Sequence, residues 1–170
     1  VRVAILTISD RSYDGERADK GGPAVADAVV RLLAGAVVVE QTILPDERDD
    51  IAWNLKRLAD TGAADLVLTT GGTGLSPRDV TPQATLDVLD YEVPGLAEVM
   101  REATRASVPT AILSRQVAAV CGRTLILNLP GSPRGAVECL EAVASVLGHA
   151  VAALRGEAGD DHPGARGESR

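Results

Sequence analysis

Three short apolar runs constrain this chain more than anything else in it. Residues 1–9 read VRVAILTIS, residues 65–70 read DLVLTT and residues 124–129 read TLILNL. All three are rich in Leu and β-branched residues and show little polar alternation. A strand with one wetted face carries a polar residue at every second position, whereas a strand buried on both faces does not. Strands of the second kind need helices on both sides of their sheet.

The intervening sequence supplies those helices. Pro23 suits the first turn of a helix that continues as AVADAVVRLLAG and stops near Gly35. A second strand spans 36–44. Ile51, Leu55 and Leu58 recur at helical spacing within 48–60, which Thr61-Gly62 ends. Thr81-Pro82 reads as a cap and a first-turn proline opening a helix through Leu89, and Pro94-Gly95 opens another to about Ala106. Residues 111–120 also read as helical. After the strand at 124–129, Pro130-Gly131-Ser132-Pro133 forms a turn with a serine cap, and a last long helix runs to about Arg155. The alternation predicts an α/β fold, a three-layer α/β/α domain with a mainly parallel central sheet, over residues 1–155. Residues 156–170 are polar and charged and are expected to be a disordered tail. No internal repeat or linker marks a second domain. With no Phe, the core is built from Val, Leu, Ile and Ala.

The net charge of −7, with lysine only at Lys20 and Lys56, argues against nucleic acid as a partner, because such binders need a basic face to displace counterions. One Trp and two Tyr offer few rings for stacking bases. Cys121 and Cys139 belong to no C-x-x-C and read as buried free thiols. No signal peptide and no apolar run of membrane-spanning length is recognised, so the expectation is a cytoplasmic protein without a membrane partner.

In a parallel α/β sheet, ligands bind beyond the carboxyl ends of the strands. Four polar or glycine-rich segments fall there: Ser9-Asp10-Arg11, Pro45-Asp46-Glu47, Gly71 to Asp79, and Asn128 to Ser132. The richest is TTGGTGLSPRDVTP, Thr69 to Pro82. Gly71, Gly72, Thr73 and Gly74 follow a buried strand directly, and such a backbone turns tightly with its N–H groups outward, a cradle for phosphate or carboxylate. The segment lacks the G-K-[ST] of a P-loop and is not G-x-G-x-x-G; a tight turn without a ligand is the alternative. Asp46 and Asp79 both lie just past strands. Facing one pocket, two such charges ~6 Å apart repel by about 3 kcal/mol at an effective dielectric near 20. A divalent cation reverses that sign, which suggests Mg²⁺ between carboxylate and phosphate oxygens. Alternatively, Asp46 caps the helix starting near Arg48, and Asp79 is a turn residue. Gly131 and the Ser132 hydroxyl open the last helix, which either holds an anion or is simply capped. Arg11, Arg78 and Arg115 are candidate phosphate clamps, with surface salt bridges as the commoner fate. Ser114 and Thr110 are pocket residues or caps. His149 and His162 lack metal-ligand spacing, and no Ser-His-Asp or Cys-His arrangement is present.

These motifs, with ILPDE at 43–47, VPGLAEVMR at 93–101, PTAILSRQ at 109–116 and LNLPGSP at 127–133, resemble the molybdopterin-binding domain family of MogA, MoaB and the gephyrin G domain. The resemblance covers residues 1–155. PTAILSRQ and LNLPGSP look more like the MogA-type adenylyltransferase branch than the MoaB branch. The resemblance implies an enzyme of molybdenum cofactor biosynthesis, with molybdopterin and ATP as substrates and Mg²⁺ as cofactor, giving adenylyl-molybdopterin and pyrophosphate. It further implies a homotrimer and a MoeA-type molybdate insertase as partner. By motif position, Asp46 and Asp79 match the family's essential carboxylates and Gly71, Gly72, Thr73 and Gly74 its phosphate loop. Ser114 and Ser132 match positions lining the pterin and phosphate pocket. A MoaB-like carrier or scaffold without transfer is the alternative, and a nucleotide hydrolase on the same fold a third.

Overall fold

The structure is a computed structural model and describes residues 1–157. Six strands form one sheet: β1 (Arg2–Ile8), β2 (Val37–Leu44), β3 (Leu66–Thr70), β4 (Tyr91–Glu92), β5 (Ala118–Cys121) and β6 (Thr124–Leu129), in the order β2-β1-β3-β6-β5-β4. β2, β1, β3 and β6 run parallel, and the β5 and β4 edge is antiparallel. The three apolar runs are the three adjacent central strands β1, β3 and β6.

Alternate residues of those strands enter two cores. Val3, Ile5, Leu66, Leu68, Leu125 and Leu127 pack under α2 (Gly21–Leu32), α5 (Pro94–Arg105) and α6 (Pro133–Arg155). Ala4, Leu6, Val67 and Ile126 pack under α3 (Arg48–Asp60) and α4 (Thr81–Leu86). Burial on both faces explains why the strands read as continuous apolar sequence. A short α1 (Asp10–Tyr13) follows β1. Cys121 and Cys139 are free and buried, in the two cores on opposite faces of the sheet.

Three expectations need correction. Residues 111–120 are not a helix: Pro109–Leu113 is a 3₁₀ turn, and Ala118–Cys121 pairs with β6 through a two-residue loop in which Gly122 takes φ 59°. The alanines favour helix locally, but all four residues of β5 are buried by the sheet, and that tertiary gain wins. Thr81 does not cap α4; Val80 stands at the cap, α4 ends at Leu86, and the Thr81 hydroxyl donates instead to the Gly71 carbonyl at 2.9 Å. Finally, α6 is by length and composition apolar enough to cross a membrane. One face of it packs into the core, burying Ala136, Cys139, Leu140, Val143, Leu147 and Val151. Gly156 ends it in the left-handed conformation at φ 76°. The expected disorder of residues 158–170 lies outside the described residues.

Candidate active site

Because β1, β2, β3 and β6 are parallel, their carboxyl ends share one edge, and all four polar segments meet there. β3 runs into Gly71, whose φ is 110°; a Cβ on it would stand 2.2 Å from the Ile8 carbonyl oxygen at the end of β1. Gly72 has φ 63°, and a Cβ there would stand 2.4 Å from the Thr81 hydroxyl and 3.1 Å from Asp46 Oδ1. Only glycine fits both positions, and their bare backbone leaves Asp46 facing the loop. Asp79 closes the other end: its Oδ2 accepts from the Ser76 amide at 2.8 Å and lies 2.9 Å from where a Cβ of Gly74 would be. The two carboxylates therefore flank one glycine segment.

Asp46 does not cap α3. The cap position is Glu47, without a side-chain hydrogen bond. Asp46 pairs with Asp10 instead: the Asp10 amide donates to Asp46 Oδ2 at 2.9 Å and the Asp46 amide donates to Asp10 Oδ1 at 2.8 Å. Burial pushes the Asp46 carboxyl above the ordinary range. The negative charges of Asp10 and Asp79 push the same way, against the Asp10 amide and the Arg78 guanidinium. Asp10 is held low, chiefly by the hydrogen bonds from Arg78 and then by the Asp46 amide. The site thus holds excess negative charge on one half-buried carboxylate. Among the described residues, no group of three or more His, Cys, Asp or Glu side chains is arranged to hold a metal by itself.

The glycine segment is anchored from beneath. The Asn128 amide nitrogen donates to Thr69 Oγ1 at 3.1 Å and Thr85 Oγ1 at 3.0 Å. The Thr85 hydroxyl donates to the Thr81 carbonyl at 3.0 Å, and Thr81 reaches Gly71 as described above. Asn128, Thr81 and Thr85 are fully buried, so this chain of hydrogen bonds ties β6 and α4 to the loop. Arg115 braces the loop: its Nε donates to the Gly74 carbonyl at 2.7 Å, its Nη2 to the Asp79 carbonyl, and its amide to the Thr73 carbonyl. Arg78 pairs with Asp10 and Glu47. Arg11 is exposed on α1. The sequence placed Asp10 and Asn128 in segments at this edge and read Thr81 as a helix cap, but assigned no site-building role to any of them or to Thr85. The spacing of Thr81 and Thr85, four apart on one helix face, was the available signal.

Two cavities adjoin the loop. One, of about 420 Å³ and largely apolar, is lined by Thr73, Gly74, Thr110, Ser114, Ser132 and Cys139. Ser114 donates to Gln116 Oε1 at 3.0 Å, and Ser132 accepts from the Gly135 amide as the cap of α6. The other, of about 330 Å³, is lined by Ser9, Ser12, Arg17, Lys20, Thr70 and Gly131. Gly131 packs on the Gly71 backbone, with 3.3 Å from its Cβ position to Gly71 Cα.

A mainly parallel α/β sheet with a glycine segment flanked by two carboxylates, and two cavities at the carboxyl ends of its strands, defines a class: an α/β domain with room for small molecules at its strand ends. The chain belongs to the family described as a probable molybdopterin binding domain, whose model matches residues 4–149. It is 46% identical over 151 residues to the molybdopterin adenylyltransferase of Escherichia coli (strain K12), covering 89% of this chain and 77% of that protein. The molybdopterin adenylyltransferase of Helicobacter pylori (strain J99 / ATCC 700824) is 40% identical over 156 residues, covering 92% and 89%. The crystal structure of the molybdopterin biosynthesis enzyme MoaB from Thermus thermophilus superposes with a TM-score of 0.84 at 52% identity, covering 91% of this chain and 96% of that one.

Proposed function

We propose that this chain is a molybdopterin adenylyltransferase of molybdenum cofactor biosynthesis. The observation that carries the reading is the pair Asp46 and Asp79 on either flank of the Gly71–Gly74 cradle, in a chain that is 46% identical to an enzyme of that name. A phosphate oxygen of molybdopterin forms a bond to the α-phosphorus of ATP, and the bond from that phosphorus to the bridging oxygen breaks. Pyrophosphate leaves with the bonding pair. The attacking phosphate is already ionised at neutral pH, so no general base is needed, which suits a site without a histidine. Both reactants are anions, so holding them in line and countering their charge is most of the catalysis.

Gly72, Thr73 and Gly74 are left to present backbone amides to phosphate; the expected fourth donor, the Gly71 amide, is spent on the Leu129 carbonyl at 3.1 Å, and Gly71 serves the cradle by its bare, positive-φ backbone instead. Ser114, Gly131 and Ser132 line the adjoining cavities, which give room for two substrates. The donor set fits Mg²⁺, which characteristically takes one or two carboxylates plus substrate phosphates; Asp46 Oδ1 lies beside the bare Gly72 backbone and Asp79 beside Gly74. Asp46 and Asp79 would hold that ion, which when bound neutralises phosphate charge. The same reading makes the chain a cytoplasmic homotrimer that hands its product to a MoeA-type molybdate insertase.

The test is to mix the protein with molybdopterin, ATP and Mg²⁺ and follow adenylyl-molybdopterin and pyrophosphate together. Equal appearance of both, lost on omitting Mg²⁺ or molybdopterin, is expected. The outcome that would overturn this is a MoaB-like molybdopterin carrier without adenylyl transfer. Tight molybdopterin binding with neither product would establish that instead.

A further inference from the structure

The Arg78 side chain has three donor contacts, and none goes to its own loop. Its Nε and Nη2 grip Asp10 Oδ2 and Oδ1 at 3.0 and 2.9 Å, and its Nη1 donates to Glu47 Oε1 at 2.9 Å. Asp10 is in turn locked to Asp46 by the reciprocal amide–carboxylate pair, and Glu47 is the next residue after Asp46. Arg78 itself immediately precedes Asp79. One guanidinium therefore spans three separate segments: the start of α1, the loop between β2 and α3, and the end of the glycine segment. Two of these carry the proposed catalytic carboxylates.

We infer that Arg78 is a positioning residue that sets the separation of Asp46 from Asp79. This rests on the adenylyltransferase reading for its functional consequence. The Arg78 side chain is 53% exposed, and the pairs to Asp10 and Glu47 are 35% and 56% exposed on the acidic side. Exposed pairs of this kind contribute little to global stability. A planar guanidinium in bidentate contact nevertheless fixes direction as well as distance, and Asp10 passes that constraint to both the amide and the carboxylate of Asp46. Nothing else among the described hydrogen bonds joins the segment 76–79 to the segment 45–47. A lysine at this position would keep the charge but could not bridge Asp10 and Glu47 in one plane.

The test uses Arg78→Gln, Arg78→Lys, Asp10→Asn and the Arg78→Gln/Asp10→Asn double variant, with Arg31→Gln as a control for loss of an exposed ion pair elsewhere (Arg31 pairs with Glu141). A displacement of about 1 Å between reacting groups lowers rate about 100-fold, so kcat should fall about 10- to 100-fold in Arg78→Gln, with the melting temperature within a few degrees of the parent. Arg78→Lys should recover only part of the loss, the double variant should be no slower than the worse single variant, and Arg31→Gln should match the parent. Hydrogen exchange on the protein without substrates or metal should quicken only in segments 9–12, 45–48 and 75–80. An unchanged kcat, or a rise in KM alone, would overturn the inference, the latter because Arg78 would then contact substrate directly. Exchange that quickens throughout the chain would also overturn it, as a general loss of fold. If the parent protein makes no adenylyl-molybdopterin, the function proposed above fails, while the exchange pattern still decides whether Arg78 holds the two segments together.

Discussion

Asp10 and Asp46, 36 residues apart, each accept the other's backbone amide, at 2.8 and 2.9 Å. The exchange fixes the turn after β1 against the turn after β2 and leaves Asp46 Oδ1 beside Gly72. It also brings two negative charges together on a half-buried carboxyl, an arrangement useful for binding a cation and unfavourable for folding.

Asp46→Asn should therefore abolish adenylyl transfer and raise the melting temperature at pH 7. The Asp46 carboxyl titrates above its ordinary value of 3.8, mainly through burial. The folded state thus holds that proton more tightly than the unfolded chain does, so stability falls as pH rises through this range. The gap between variant and parent should close as pH is lowered through the carboxylate range. A variant less stable than the parent at pH 7 would contradict this account of the site's charge.

Gly71→Ala should cost more than Gly35→Ala. Both have positive φ, 110° and 74°, and a Cβ in that region costs roughly 1–2 kcal/mol. At Gly35 the Cβ meets nothing within 4 Å, whereas at Gly71 it lands 2.2 Å from the Ile8 carbonyl oxygen. Urea unfolding should show the larger loss for Gly71→Ala, together with loss of turnover; equal losses would mean that the β1 end moves aside freely.

Asn128→Ala removes a buried amide that makes three hydrogen bonds, to Thr69, Thr85 and the Val117 amide. Leaving buried partners unsatisfied should destabilise the protein by about 2–4 kcal/mol in denaturant unfolding. Turnover should fall as well, because Thr85 and Thr81 lead from this residue to Gly71.

Asp65 provides an acid-sensitive brace far from the site. It is 5% exposed and binds Arg2 and Arg155. Burial works to raise its carboxyl, but the hydrogen bonds from Arg2 and Arg155 outweigh that and hold it far below the ordinary range. A depressed folded value means stability present above the unfolded value and lost as pH falls towards the folded one. Asp65→Asn should lower the melting temperature at pH 7, and the difference from the parent should shrink progressively below the ordinary carboxyl value of 3.8. A pH-independent difference would show that the two arginines contribute nothing through charge.

Cys139 lines the larger cavity, yet its thiol should not react. Burial pushes it up to about 11, against weaker opposing hydrogen bonds from Gln116 and Thr104. Because the thiolate is the nucleophile, titration with a disulfide reagent at pH 8 should find no fast thiol in the folded protein and both Cys121 and Cys139 after unfolding.

The sequence by itself determined the layers of this protein. Strands buried on both faces leave an unbroken apolar record, as β1, β3 and β6 do, and amphipathic spacing marked α3 from Arg48 to Asp60. It also determined where the glycine segment and the other polar segments gather, since a segment following a central parallel strand has one edge of the sheet to occupy. Tertiary structure alone decided the rest. Ala118 and Ala119 form a strand only because β6 offers them a partner. Thr81 turns from a cap to a bond with Gly71 only because the loop folds back over α4. Asp46 and Arg78 lie 36 and 68 residues from Asp10, and nothing in their local sequence states that the three touch. Propensity and periodicity act over a few residues, whereas a hydrogen bond between distant carboxylates and guanidinium groups exists only after the sheet has aligned the ends of its strands.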